Sequence, residues 1–186
     1  MARPLRFVAL AAVIALAALV AGCGEKQAAY HEAKTEGPYL QAGPMKYQIQ
    51  LSRGLNARLP YDEQILHGLP AGETLHKGEV WFGIWLRVEN PSKQAELSAV
   101  NFDIVDTLGN TFDPIPFAPG VNSMIYRPTL VRAGGMLPTP ETIQDQGGPR
   151  GQVLVFKLKT SAYQNRPLIF TIHPASGELA RVELDL

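Results

Sequence analysis

Residues 78–90, GEVWFGIWLRVEN, constrain the fold more than any other part of the chain. Side chains alternate across an extended strand. Phe82, Ile84, Leu86 and Val88 therefore share one face, and Trp81, Gly83, Trp85 and Arg87 share the other. A strand that is apolar on one face and aromatic on the other belongs in the middle of a sheet, with a covering layer possible on its second face. Period-two alternation recurs on both sides of it. Met45, Tyr47, Ile49 and Leu51 alternate with Lys46, Gln48, Gln50 and Ser52. Val100, Phe102 and Ile104 share a face, and Leu154, Phe156 and Leu158 alternate with Val153, Val155 and Lys157. Leu168, Phe170 and Ile172, then Val182, Leu184 and Leu186, supply the last two runs.

Turn chemistry separates these runs. Thr107-Leu108-Gly109-Asn110 is a tight turn in which Gly109 or Asn110 takes positive φ, and 111–115 returns as a partner strand. Residues 114–149 are rich in Pro and Gly, with one strand expected over 123–131. Residues 53–72 interrupt the alternation, and Asp62 is placed to cap a short helix that Gly68 ends. About eight short strands without a long helix predict an all-β fold: an antiparallel β-sandwich with Greek-key connections and one short helical insertion.

The N-terminus predicts where such a domain resides. Arg3 and Arg6 precede an Ala/Leu/Val run over 7–20, so 1–22 has the layout of an export signal. Leu19-Val20-Ala21-Gly22-Cys23 resembles the bacterial lipobox, in which the cysteine thiol receives a diacylglycerol and the signal is cut before it. The resemblance implies lipid attachment at Cys23 and an extracytoplasmic, membrane-anchored chain, since two or three acyl chains anchor stably where one does not. Residues 23–44 are then expected to be a lipidated cysteine plus a flexible tether, with a reach of roughly 25 Å, and 45–186 the sandwich domain. Cys23 is the only cysteine, so no disulfide or cysteine-based zinc or blue-copper site forms within the domain. Without Arg3 and Arg6 the 17 basic residues fall to 15, against 17 acidic ones. That balance gives no basic face for nucleic acid.

The run Trp81-Phe82-Gly83-Ile84-Trp85-Leu86-Arg87-Val88-Glu89-Asn90, followed by Phe102-Asp103-Ile104-Val105-Asp106 and Gly109-Asn110, resembles the domain-of-unknown-function 4352 (DUF4352) group. The later run GQVLVFKL over 151–158 is similar to a strand of that group, and the resemblance spans 46–173. It implies an immunoglobulin-like sandwich of the kind found in secreted proteins and lipoprotein ectodomains of Gram-positive bacteria. It implies no catalytic residue.

Other chemistries find little support. There is no P-loop, GxSxG elbow, HExxH or EF-hand spacing, so the chain is expected to be non-enzymatic and to need no cofactor. His31, His67, His76 and His173 are scattered; His67 and His76 with Met45 are the set to examine for a soft metal. Asp103, Asp106, Asn110 and Asp113 are the set to examine for calcium, or else they serve a turn. The stronger candidate is the aromatic face of the central strand. Trp81 and Trp85 stand about 13 Å apart along a strand, Gly83 leaves a notch between them, and Arg87 extends the row. Such residues favour interface centres, and a protein or cell-envelope component is the expected partner. The competing expectation is that 53–69 or the Pro-rich loop covers them. The functional alternative is a metal-handling or metal-sensing lipoprotein.

Overall fold

The structure is a computed structural model that describes residues 29–186; the export segment and Cys23 lie outside the described residues. Thirteen strands occur among these residues: β1 (Ala29–Tyr30), β2 (Glu32–Ala33), β3 (Tyr39–Ala42), β4 (Met45–Leu55), β5 (Glu79–Glu89), β6 (Glu96–Leu97), β7 (Asn101–Val105), β8 (Thr111–Phe112), β9 (Leu130–Val131), β10 (Met136–Leu137), β11 (Gln152–Lys159), β12 (Ile169–His173) and β13 (Ala180–Glu183). The helices are α1 (Pro60–Leu66), α2 (Ile143–Gln146) and a 3₁₀ turn over Thr160–Gln164.

The fold is an all-β sandwich with the 78–90 run at its centre. One sheet runs β1-β3-β4-β5, and the far edge of β5 is shared between β11 and β10. The other sheet runs β2-β13-β12-β7-β8, and β6 with β9 forms a separate ribbon. Phe82, Ile84, Leu86 and Val88 face Phe102, Ile104, Phe170, Ile172 and Val182 across a continuous core. Phe102 stacks on Phe170 with ring centroids 5.7 Å apart, and Phe156 meets Phe170 edge-on at 6.2 Å.

Three expectations are corrected. First, 29–44 is not a tether. β3 pairs antiparallel with β4, and Leu40 and Ala42 are fully buried. Gly43-Pro44 closes a two-residue hairpin, with Ala42 opposite Met45 and Gly43 at φ +55°. β1 and β2 pair parallel with β3 and β13 respectively, so the N-terminal segment joins both sheets and the sandwich is not wholly antiparallel.

Second, Leu51 does not share a face with Ile49. The register between β4 and β5 shifts after Ile49, leaving Gln50 as the extra residue of a bulge. The shift sets Leu51, Arg53 and Leu55 opposite Trp85, Gly83 and Trp81, on the outer face. Ser52 takes the inner side and donates its hydroxyl hydrogen to Glu36.

Third, 123–131 is not one strand. Ile125 forms a single parallel bridge to Val153, and only Leu130–Val131 is a ladder strand. Val100 precedes β7 and is partly exposed, so it does not share the buried face of Phe102 and Ile104.

Candidate functional site

The outer face of β5 holds the tryptophans singled out by the sequence, and it is packed. Trp85 is 0% exposed and Trp81 5%. With Leu55, Val153 and Val155 they form a second core beneath Ile65 and Leu66 of α1 and beneath Phe117 and Ile125 of the Pro-rich loop. The notch at Gly83 is occupied, since a β-carbon there would lie 3.0 Å from the Trp85 ring and 3.1 Å from Leu55. Both covering segments contribute, and Trp81 and Trp85 present no open surface to a partner. Arg87 is mostly buried as well, with its guanidinium 3.6 Å from Asp145 and 3.5 Å from the Met136 sulfur.

Two ion pairs fasten the stretch from α1 to Glu73 across this layer. Arg53 lies over the Trp85 ring at 4.9 Å and makes a two-pronged contact with Asp62, at 2.6 and 2.9 Å. Lys157 lies over Trp81 at 5.9 Å and reaches Glu73 at 2.8 Å. Asp62 is therefore an anchor and not a helix cap. The N-cap is Leu59, Pro60 opens the helix, and the buried Asp62 carboxylate also accepts the Asn56 N–H at 2.8 Å. The Arg53 hydrogen bond holds the Asp62 carboxyl below its usual range despite burial, with the Asn56 N–H adding to the effect.

The metal-ligating sets do not assemble. Among the described residues no group of three or more His, Cys, Asp or Glu side chains is placed to hold a metal ion. Met45 is buried in the inner core, His76 pairs with Glu79 at 3.1 Å, and His31 with Glu178 at 3.3 Å. Asp106 organises the 107–110 turn, accepting from the Leu108 and Asn110 N–H groups and from the side chains of Asn110 and Asn165. Gly109 is the turn residue at positive φ, 81°.

What the sequence did not reveal is a cleft of about 580 Å³ at the flank of the sandwich, within the usual size of ligand sites. Phe102, Asp103 and His173 of the second sheet form one wall, and Asp113, Ile115 and Arg127 of the Pro-rich segment the other. It opens because the chain changes sheets here. Phe112 still pairs with Ile104, but Pro114 bridges to Phe156 in the other sheet. His173 and Asp103 share a short hydrogen bond at the rim. Arg127 donates to the carbonyls of Phe117 and Ala118, which fixes the loop. Behind it, the Tyr126 hydroxyl donates to the Ala99 carbonyl and accepts from the Ser98 hydroxyl, both at 2.8 Å, and burial drives its pKa upward. The clue available in the sequence was Pro114 following the 101–112 hairpin, since proline cannot continue an edge ladder as donor.

No family model matches the sequence, and no curated protein matches it. Among solved structures, the chain is similar to the yjhA protein from Bacillus subtilis, at 12% identity and a TM-score of 0.46 over 82% of this chain and 99% of that one. It is also similar to an uncharacterized beta-sandwich protein from Clostridium difficile 630, at 13% identity and a TM-score of 0.45 over 86% of this chain and 98% of that one.

Proposed function

We propose that the chain is a bacterial lipoprotein anchored through Cys23 on the extracytoplasmic face of the cell membrane. Its sandwich, immunoglobulin-like and of the DUF4352 kind, serves as a non-enzymatic interaction module. The observation that carries this reading is the lipobox-like run Leu19-Val20-Ala21-Gly22-Cys23 behind a basic and then apolar leader. The distance from Cys23 to the first strand adds to it. Only residues 24–28 separate Cys23 from Ala29, and that length spans at most about 20 Å. The lipid would hold the domain beside the bilayer and restrict which flank meets a partner.

Expression of the full chain in a bacterial host with radiolabelled palmitate tests the anchor. The parent protein is expected to carry label and to partition into detergent. Cys23→Ser is expected to lose both the label and the faster-migrating processed band. An unlabelled parent, or a Cys23→Ser variant that fractionates and migrates identically, would remove the lipoprotein reading.

A further inference from the structure

We propose that the flank cleft receives an extended peptide bearing basic side chains, which joins the second sheet as an added strand along the free edge of β7 at Phe102. This inference rests on reading the domain as an interaction module and names the class of its partner.

Backbone geometry supplies the first ground. β8 pairs with β7 only at Ile104 and Val105. The Asp106 N–H donates to the Asn110 carbonyl at 3.1 Å, which sets the alternation of the ladder. By that alternation Ile104 and Phe102 direct their peptide groups toward β8, whereas Asn101 and Asp103 direct theirs toward β12. The residue that would face Phe102 in a continued ladder is Pro114, and it has no N–H. The chain has by then left for the first sheet, where the Ile115 N–H donates to the Val155 carbonyl at 2.7 Å. The Phe102 N–H and C=O therefore face the cleft with no backbone partner there among the described residues, although Phe102 is only 4% exposed. Buried peptide groups are almost always paired. An incoming extended backbone supplies the missing donor and acceptor, as in strand addition to other open sheet edges.

Charge supplies the second ground. Side chains of an added strand alternate across the sheet. Those on the outer side would stand beside Asp103 and near Asp113, and Asp113 has no ion-pair partner among the described residues. Of the basic side chains in the wall, His173 is engaged by Asp103 and Arg127 by the Phe117 and Ala118 carbonyls, which leaves Asp113 as the open carboxylate. Lysine or arginine fits the outer positions, and apolar side chains fit the inner ones against Phe102 and Ile115.

The probe is a fluorescein-labelled octapeptide of alternating lysine and valine, titrated by anisotropy against the full chain in detergent. The expectation is saturable binding, at least tenfold weaker for a glutamate–valine counterpart and for the lysine peptide N-methylated at alternate residues. Asp113→Lys, at an exposed position, is expected to weaken binding at least tenfold with an unchanged melting curve, and amide exchange at Phe102 is expected to slow on binding. Equal affinity of the N-methylated peptide, no binding up to millimolar concentration, or unchanged Phe102 exchange would each overturn the proposal. So would a dimer of the chain that already protects the Phe102 amide, which would assign the edge to a second copy. Palmitate labelling is independent of all these readouts, so failure of the peptide proposal and failure of the anchored reading are distinguishable.

Discussion

Asp62→Asn replaces one carboxylate oxygen of the Arg53–Asp62 contact with a donor that faces the guanidinium. In the parent protein, Asp62 is 1% exposed and accepts two bonds from Arg53, at 2.6 and 2.9 Å, and one from the Asn56 N–H at 2.8 Å. Removing one partner of a fully buried pair costs about 3–5 kcal/mol. About a third of the Arg53 side chain stays in water, and that access lowers the expected cost to about 2–3 kcal/mol. For a domain of this size the loss corresponds to roughly 4–12 °C in Tm. Urea unfolding followed by tryptophan emission reads it directly, because Trp81 and Trp85 are the only tryptophans and Trp85 packs under Arg53. The native carboxyl titrates below its ordinary value of 3.8. Its stabilisation is therefore complete above that value and fades as pH falls through the lowered native one. Parent and variant should differ most at neutral pH and converge in acid. A difference under about 0.5 kcal/mol at pH 7, or one of constant size down to acid pH, would refute the anchoring role.

Leu40→Ala is expected to cost about 2–5 kcal/mol, as for other buried leucines, because Leu40 is fully buried on β3; a thermal melt indistinguishable from the parent's would restore the tether. Asn90→Ala should cost about 1–3 kcal/mol, because its Nδ2 donates to the carbonyls of Gln94, Val131 and Arg132. Asn90→Asp should be worse at neutral pH, with a charge facing those carbonyls, and the urea midpoints of the two variants give the order.

The inner core was legible because period-two alternation in β5, β7, β11 and β12 is a direct imprint of burial on one face. The faces of β4 were half legible. Nothing in Gln50 signals a bulge, and one extra residue exchanges every side chain beyond it. The tether was misjudged because polar, charged residues before Gly37 masked the short Tyr39–Ala42 run, although Gly43-Pro44 between two alternating runs is itself a hairpin signal. For the tryptophans, the sequence left open surface and second core as alternatives; the layer over them comes from α1, 15 to 20 positions before them, and from Phe117 and Ile125, 32 to 44 positions after them. The cleft was legible only as a break in the ladder at Pro114. It depends on where the chain goes after Phe112, and local pattern does not encode that path.

The pairing of β2 with β13 sets an order of events during synthesis. Ala33 lies beside Val182, and the Thr35 hydroxyl donates to Asp185 at 2.7 Å across 150 positions. β2 therefore waits for β13, about 150 positions later, to emerge before this edge of the second sheet can close. A nascent chain halted before residue 180 would hold β4 and β5 already paired while its leading segment had no strand to join. Such long-range closure is slow, and the unfinished chain is exposed to mispairing until it completes.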